Sequence, residues 1–517
     1  MNIFQSIRVN LVNHNLVNYF LLFSIISVIL LFSLDIILYG SGISGDTRHY
    51  LLLAGKVNQF EFPNSGSYLP AFPILVGLLA KIFSIKIFQS AIFWMIIFYI
   101  TNLIFIYKIA DYLIKKYDLS KTAFYLFLFI LISWWSFRIQ KATHADAMYY
   151  SLLILLTYFT IKSFFEVKTK NFIIIGVLLS FMVITKYNSY ILLILYSSFF
   201  FFKIFNVHKN FTYFVITILP STIMIFLWKV LNGKFIYAFN RSNYQDNNFD
   251  FFKVVKIIYL NISDFGKNLI EIFINPLVGR FLNEQFGFVL GLFSILYLVY
   301  LAYLYRKLKI SFIFLLSSIV YLFALIFLQS LNLLNEINTR TLLTFYFFLF
   351  ISISFYLIVH KKQIILLLLF ITLFLNNFLM LGKWLYGTSS KNSFKYEYNK
   401  EHSNFYNSRQ FQEIIKNYKI MSNEYQLILF TLNYQKEIES INTDRLFYKG
   451  KFKNIDSIEL NNVLIKMKKF VENNGIVIFS NSKSLNDKLI IKDMSSKFYS
   501  IIIKDDLIII SKSKLNF

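Results

Sequence analysis

Hydrophobic runs long enough to cross a lipid bilayer recur along the first three quarters of the chain, separated by short polar segments. Each run holds about twenty predominantly apolar residues, the length that an α-helix needs to span the hydrocarbon core. The shorter run 171–185 is interpreted as a further, short span, which gives about eleven spans in all. The longer runs cover residues 18–39, 88–107, 121–138, 147–166, 188–205, 210–231, 286–305, 310–330, 341–359 and 363–382.

The lysines and arginines between these runs predict the orientation of the chain. With the N-terminus in the cytoplasm, the most basic connecting segments all fall on the cytoplasmic side, as the positive-inside rule requires. Prolines and lysines punctuate the segment 70–85, which we interpret as a helix lying along the outer membrane surface. If that segment crossed the membrane, every later loop would change sides and the rule would fail. The cytoplasmic segments are then 108–121, 162–170, 203–209, 306–309 and 360–362, and the external ones are 40–87, 138–146, 232–285 and 331–341.

The pattern changes at about residue 388, where apolar runs shorten to the length of β-strands. The sequence therefore predicts an α-helical polytopic membrane protein with about eleven transmembrane helices, periplasm-facing juxtamembrane helices and a small C-terminal extracytoplasmic α/β domain. The transmembrane module covers residues 1–387 and the α/β domain covers residues 388–517. Within the second domain we expect strands over 427–432, 475–480, 499–503 and 506–511, and helices over 408–418 and 456–472.

Composition supports a membrane protein and excludes several other classes. Hydrophobic residues make up 57% of the 517 residues and charged residues only 15%, whereas a soluble domain usually carries about 25% charge. The net charge of +25 does not predict nucleic-acid binding, because the basic residues cluster between apolar runs rather than on one face of a folded domain. Cysteine is absent, which excludes disulfides, thiolate metal sites and cysteine nucleophiles.

The stretch GSGISGDTRHY, after the first apolar run, has the spacing of a dinucleotide-binding motif. Its three glycines fit G-x-G-x-x-G, and Glu61 follows about twenty positions later. That motif requires a βαβ unit, however, and here Gly40 ends a membrane span while Glu61 lies in a loop. We therefore interpret the glycines as a turn out of the membrane, followed by a helix that begins at Asp46. As a local signal, Asp46 indicates no more than a helix N-cap.

The same region resembles the first external loop of the GT-C superfamily. The resemblance lies in GDTRHYLLLAGKV and, after it, SYLPAFPILVGLLAKIF. Members of this superfamily are multi-span glycosyltransferases that use polyprenyl-phosphate sugars, and they include relatives of protein O-mannosyltransferases and lipid A aminoarabinose transferases. The resemblance matches an aspartate of the family to Asp46, a tyrosine to Tyr50 and an alanine to Ala54.

Later stretches resemble the same superfamily, in the same order along the chain. THADAMYYSLLILLTYF is similar to the second external loop, where an acidic residue opens a span, and the match is Asp146. FIIIGVLLSFMVITKYNSYILLI resembles a glycine-containing span followed by Thr-Lys or Thr-Arg, which places Lys186. NTRTLLTFYFFLFI resembles a late span that starts at an arginine, here Arg340. The chain departs from the family at Thr47, where some members have a second acidic residue, and in a proline pair that is split.

The resemblance implies a glycosyltransferase site on the extracytoplasmic face of the bacterial inner membrane. Asp46 is the expected catalytic base, accepting the proton of the attacking hydroxyl in a single displacement that inverts the anomeric centre. The expected partners are a polyprenyl-phosphate-linked sugar donor, a lipid, glycan or protein acceptor, and membrane lipids. No cofactor and no metal are required, although a divalent cation shared by Asp46 and Asp146 is an alternative. Substrate-binding roles are implied for His49, Tyr50, His144, Asp146, Lys186 and Arg340.

Other interpretations of these features stay open. Interfacial snorkelling explains a lysine or an arginine at a helix end without any ligand, and a histidine in a loop is commonly a plain surface residue. A lipid or polysaccharide transporter or flippase, and an O-antigen polymerase or ligase, are also apolar, basic membrane proteins. The sequence favours the transferase, because it lacks paired Gly- or Pro-broken spans in corresponding halves and carries the early aspartate loop with its proline turn.

The predicted orientation is tested by reporter fusions. A reporter fused after Lys362 should be cytoplasmic and one fused after Lys391 external, because a single span separates the two positions. Paired enzymatic and fluorescent reporters, active on opposite sides of the membrane, measure this directly. An external signal after Lys362 would contradict both the number of spans and the surface position of residues 70–85.

Overall fold

The computed structural model describes the greater part of the chain in segments. They are 18–19, 21–27, 29–30, 45–63, 68–132, 145–202, 204–205, 210–232, 251–273, 282–330, 337, 341–362, 365–366, 368–373, 405–406, 408–422, 438–440, 445–448, 451–454, 457–480, 485–503 and 507–513.

Helices make up almost all of the described structure before residue 374, because the apolar runs of the sequence satisfy their backbone hydrogen bonds internally. Short helical stretches also occur within 18–30 and 365–373. In chain order the helices are α1 (Gly45–Asn58), α2 (Ala71–Ile82), α3 (Ile87–Lys116), α4 (Lys121–Leu131), α5 (Ala145–Phe165), α6 (Thr169–Val183), α7 (Ser189–Phe201), α8 (Asn210–Asn232), α9 (Phe251–Phe273), α10 (Glu284–Tyr305), α11 (Lys309–Ser330) and α12 (Leu343–Val359).

Five of the described helices are long and apolar enough to cross a membrane, which makes the chain a multi-pass membrane protein. They are α3, α5, α8, α10 and α11. The helices α2, α4, α6, α7 and α12 are apolar but shorter. The expected total of about eleven spans stays a prediction, since the runs 18–39, 121–138 and 363–382 are described only in part. The position of α2 along the membrane surface also stays a prediction.

The chain divides into two compact units. The first contains residues 1–47, 64–72 and 92–392, and the second contains 48–63, 73–91 and 393–517. The expected domain boundary at residues 387 and 388 lies outside the described residues.

The core of the first unit is centred on α12, which is buried on nearly every side. Its buried side chains run from Leu343 to Ile358 and include Phe345, Phe347 and Phe350. A helix that is apolar all round is stable only inside a bundle or a bilayer. By contrast α8 leaves large apolar side chains such as Phe211 exposed, as expected for a surface in contact with lipid.

An unusually close contact joins α9 to α10. A Cβ atom added to Gly266 of α9 would lie 2.1 Å from the backbone oxygen of Gly287, and one added to Gly291 would lie 2.2 Å from the backbone oxygen of Ile262. Only glycine fits at such distances, and small residues four apart allow helix backbones to approach closely in membrane proteins. The Ser263 hydroxyl adds an interhelical hydrogen bond to the backbone oxygen of Glu284, at 2.8 Å. Helices α9 and α10 therefore pack closely against each other.

The second unit contains a mixed five-stranded sheet in the order β2-β1-β5-β7-β6. Strand β1 pairs in parallel with β2 and β5, whereas β7 pairs antiparallel with β5 and β6. Strands β3 and β4 form a separate antiparallel pair. The core of the second unit contains the buried side chains of Met467, Val471, Phe479 and Met494. The elements are α13 (Arg409–Asn417), β1 (Lys419–Ser422), β2 (Glu439–Ser440), β3 (Arg445–Tyr448), β4 (Lys451–Asn454), α14 (Ser457–Glu472), β5 (Gly475–Ser480), α15 (Leu485–Ser495), β6 (Tyr499–Ile503) and β7 (Leu507–Ser511).

Several sequence expectations for this region match the observed elements, and others do not. The helices expected over 408–418 and 456–472 are observed as α13 and α14, and the strands expected over 475–480, 499–503 and 506–511 are observed as β5, β6 and β7. The strand expected over 427–432 lies outside the described residues. The sequence analysis missed α9, α15 and the short strands β1 to β4, because none of them carries a long apolar run.

The glycine contact predicts a large stability cost for a single added methyl group. Replacing Gly266 or Gly291 by Ala should destabilise the protein by about 1–3 kcal/mol, because the new Cβ must push two helix backbones apart. Thermal unfolding in detergent measures the effect. Leu296→Ala is the matched control on α10, since that side chain is 61% exposed. Equal unfolding temperatures for Gly291→Ala and the wild type would contradict the close helix contact.

Candidate functional site

A buried ion pair joins Asp146 to Lys186. The Lys186 Nζ lies 2.7 Å from the Asp146 Oδ1, and the two side chains are 17% and 4% exposed. Charged side chains are rarely buried in a protein interior unless a partner of opposite charge compensates them. Asp146 is in the first turn of α5, and Lys186 follows the end of α6. The sequence analysis named both residues, and the structure brings them together.

The turn after α6 fixes the position of Lys186. The backbone nitrogen of Lys186 donates to the backbone oxygen of Met182 at 3.0 Å. The Ser189 hydroxyl donates to the same oxygen at 2.7 Å, and the Thr185 hydroxyl donates to the backbone oxygen of Phe181 at 2.6 Å. Hydroxyl side chains thus bond the backbone oxygens that the end of a helix leaves without a partner.

Two buried phenol groups lie next to the ion pair. The Tyr149 hydroxyl is 2.7 Å from the Thr344 Oγ1, and the Lys186 Nζ lies 5.3 Å from the centroid of the Tyr149 ring. The Tyr321 hydroxyl donates to the backbone oxygen of Thr341 at 3.1 Å. It also interacts with the side chains of Tyr149, Thr344 and Asn188. Residues from α5, α11 and α12 and from the turn after α6 therefore form one polar cluster.

Asn188 carries a buried donor within this cluster. Its side chain is 5% exposed, and its amide nitrogen makes no hydrogen bond of normal geometry to any residue that the structure describes. Because the same side chain lies within interaction range of the Tyr321 hydroxyl, this donor belongs to the polar cluster.

The cluster lies at one end of the helix bundle. Asp146 and Thr344 are in the first turns of α5 and α12, whereas Lys186 follows the last turn of α6. Because α5 and α6 run in opposite directions, the start of one lies beside the end of the other. The positive-inside rule predicts that this end is extracytoplasmic.

The structure describes only some of the other residues that the sequence predicts for the site. Asp46 is in the first turn of α1, which begins one residue earlier at Gly45, and the Asp46 side chain lies outside the described part of the structure. His49 and Tyr50 follow on the same helix and are half-buried. His144 and Arg340 lie outside the described residues. Within the described residues, no group of three or more His, Cys, Asp or Glu residues is placed to hold a metal ion.

Sequence reasoning missed the polar neighbours of the ion pair. Tyr149 lies three positions after Asp146, and residues three apart share one face of a helix. Asn188 lies two positions after Lys186. These spacings are detectable signals in the sequence. No comparable signal marks Tyr321, which lies in the middle of an apolar span, far in sequence from the residues that it contacts.

Comparisons with known proteins do not assign the chain to a family. No protein-family model matches the chain, and no curated protein sequence shows significant similarity to it. Among solved structures, the crystal structure of ArnT from Cupriavidus metallidurans in the apo state is similar over 96% of this chain and 98% of that chain. The identity is 8% and the TM-score is 0.43. That TM-score is too low to establish a shared fold.

The buried ion pair predicts how single and double substitutions change the stability of the protein. Asp146→Asn or Lys186→Met alone should destabilise the protein by about 3–5 kcal/mol, because each leaves a buried charge without its partner. The double variant should be more stable than either single variant, because it removes both charges. Thermal unfolding of the three variants in detergent measures the coupling.

The matched control is the Lys115–Asp111 pair on α3, whose side chains are 76% and 32% exposed. Exposed pairs contribute about 0.2–1 kcal/mol, so Lys115→Met should change little. Additive destabilisation in the Asp146 and Lys186 double variant would contradict a buried, coupled pair.

Proposed function

We propose that the protein is an integral-membrane glycosyltransferase that moves a sugar from a polyprenyl-phosphate carrier to an acceptor hydroxyl on the extracytoplasmic side. The observation that carries the proposal is the buried pair of Asp146 and Lys186 at one end of the bundle. The order of motifs that resemble the GT-C superfamily supports the same function. Residues of α5, of α12 and of the turn after α6 carry both the motif matches and the polar cluster.

The donor phosphate is assigned to the cationic part of the site. Lys186 provides an ammonium group with three donors, one of which the Asp146 carboxylate accepts. Asn188 adds a buried amide donor. Arg340 directly precedes Thr341 in the sequence, and its planar guanidinium group is suited to bind phosphate through two parallel hydrogen bonds. In this proposal Asp146 orients Lys186 and limits its positive charge until the phosphate binds.

The reaction is a single displacement at the anomeric carbon. The acceptor oxygen attacks C1 and forms the new bond, while the bond from C1 to the phosphate oxygen breaks. The phosphate leaves with the electron pair, and the acceptor proton passes to the carboxylate of Asp46. Lys186 and Arg340 stabilise the charge that develops on the leaving phosphate. Attack from the opposite side inverts the configuration, since no carboxylate forms a covalent intermediate. His49, Tyr50 and His144 are proposed to contact the substrates.

The extracytoplasmic location proposed for the site favours a lipid-linked donor. Nucleotide sugars are made in the cytoplasm, so a transferase on the outer face needs a sugar that is already attached to a membrane carrier. A prenyl chain places its phosphate at the level of the headgroups. Charged side chains at a helix end reach that level with a smaller desolvation cost than at the bilayer centre.

Asp46→Asn separates a catalytic role from a structural one. Asn serves at a helix N-terminus about as well as Asp, so the fold and the expression level should not change. Loss of the proton acceptor should lower the rate of sugar transfer by about two orders of magnitude or more. Transfer from radiolabelled polyprenyl-phosphate sugar in membranes measures the rate. Asp111→Asn on α3, where the side chain is 32% exposed, is the matched control. Transfer by Asp46→Asn at the wild-type rate would contradict the role of Asp46 as base.

A further inference from the structure

A group of basic side chains lies at the end of the helix bundle opposite to the ion pair. Helix α12 has Thr344 in its first turn, beside the ion-pair cluster, and ends at Val359, about 22 Å farther along at the rise of an α-helix. At this second end α10 turns into α11. The basic cluster consists of exposed side chains from that turn, from the start of α11 and from the segment after α12. They are Arg306, Lys307, Lys309, Lys361 and Lys362.

Aromatic contacts bring the two parts of the basic cluster to one end of the bundle. The Tyr305 ring at the end of α10 stacks on the Tyr356 ring of α12, with 3.8 Å between the ring centroids. The Tyr356 ring in turn lies 4.2 Å from the His360 ring. The Lys309 Nζ lies 5.7 Å from the centroid of the Phe164 ring in the last turn of α5. The basic cluster therefore belongs to several adjoining helix ends and not to a single loop.

Carboxylates of the described residues do not balance the charges of the basic cluster. None of its members forms an ion pair with an aspartate or a glutamate in the described part of the chain. The sequence has no acidic residue in 285–335 or in 337–396. After the neighbouring helices, Asp118 lies between the exposed Lys116 and Lys121 in the sequence, and the Glu166 carboxylate already binds Lys168 at 2.9 Å. Repulsion between like charges is relieved when an anion binds.

Lys361 occupies a backbone position that normally belongs to glycine. Its φ is 52°, in the left-handed region. Its nitrogen donates to the backbone oxygen of Ile358 at 3.1 Å, and the nitrogen of Lys362 donates to that of Leu357 at 2.9 Å, so α12 ends in a Schellman motif. Glycine is the usual residue there, because a Cβ atom strains the left-handed conformation. A lysine at this strained position indicates a use for its charge besides ending the helix.

An exposed apolar stripe of α10 leads to the basic cluster. Its members are spaced by four, three and four residues, so they share one face of a helix that is long and apolar enough to cross a membrane. The stripe consists of Phe293, Tyr297, Tyr300 and Leu304, each at least 40% exposed. Beyond it, the guanidinium carbon of Arg306 lies 4.2 Å from the centroid of the exposed Tyr303 ring. Tyrosine is enriched at the level of the lipid headgroups, so Arg306 is placed to meet a headgroup phosphate.

We propose that the basic cluster binds the phosphate group of an anionic phospholipid, whose acyl chains lie along the apolar stripe of α10. The lipid belongs to the leaflet at this end of the bundle, which the positive-inside rule predicts to be the cytoplasmic one. Ammonium and guanidinium groups donate charge-assisted hydrogen bonds to phosphate oxygens. Basic pockets between membrane helices bind anionic headgroups in this way. The inference goes beyond the proposed function, whose donor phosphate binds at the opposite end of α12.

The affinity of the purified full-length protein in detergent for fluorescent phospholipids tests the inference. The probes are phosphatidylglycerol, which carries a net negative charge, and phosphatidylcholine, which has a phosphate group but no net charge. The wild type should bind phosphatidylglycerol at least about tenfold more tightly, since several cations of the basic cluster contribute. That preference should shrink as the salt concentration rises, because exposed charges are screened.

Lys361→Gly is the sharpest variant. It should weaken phosphatidylglycerol binding by about fivefold and leave phosphatidylcholine binding unchanged. The unfolding temperature of the lipid-free protein should stay the same or rise, because glycine adopts the left-handed backbone without strain. Arg306→Gln should weaken phosphatidylglycerol binding by a similar factor. Lys115→Gln on α3 is the matched control, since the Lys115 Nζ lies 2.9 Å from the Asp111 Oδ1 and its charge is already compensated.

Several outcomes would overturn the inference. Equal affinities of the wild type for the two phospholipids would show that charge does not matter. An equal loss of phosphatidylglycerol affinity in Lys115→Gln and Lys361→Gly would show a general attraction to a basic protein. Displacement of phosphatidylglycerol by an equal concentration of inorganic phosphate would show a simple anion site. A lower unfolding temperature of Lys361→Gly with unchanged lipid affinity would show a structural lysine. Sugar transfer does not enter these measurements, so the proposed function stands or fails separately.

Discussion

The pairing of the Asp146 carboxylate with the Lys186 ammonium group is the interaction on which the arrangement of the surrounding helices depends. Two opposite charges that are buried at helix ends must stay in contact, because separating them exposes each to an environment that solvates it poorly. This requirement holds the start of α5 against the turn after α6 at a distance of 2.7 Å. Tyr149 and Tyr321 extend the constraint to α12. The result is a polar site whose side chains have little freedom to move.

Helix α9 illustrates a second constraint, which comes from close helix packing. Small residues allow two helix backbones to approach closely, and hydrogen bonds between the helices then add to the packing. The contacts at Gly266, Gly287 and Gly291 and the bond from Ser263 illustrate both. On the same helix, the Asn261 amide donates a hydrogen bond to the Ser330 Oγ of α11 at 3.0 Å, so α9 is bonded to a second neighbouring helix.

The sequence contained enough information for the helices and for two members of the site, but not for the whole cluster. Long apolar runs predicted the helices, because helix length in a membrane is fixed by bilayer thickness. Charges at the ends of such runs identified Asp146 and Lys186. Tyr321 was missed, because a tyrosine inside an apolar run looks like any other lipid or core residue. Helix α9 was missed because polar residues interrupt its apolar pattern, so that helical periodicity, rather than a continuous apolar run, is its signal.

The most direct test of the account is whether the protein cleaves a lipid-linked sugar. The purified protein in vesicles is supplied with a polyprenyl-phosphate sugar, and the release of free polyprenyl phosphate is measured together with the transfer of the sugar. A glycosyltransferase should release one polyprenyl phosphate for each sugar transferred, and Asp46→Asn should lose both signals. Movement of the intact sugar-lipid across the bilayer, without release of polyprenyl phosphate, would contradict the transferase and identify a transporter instead.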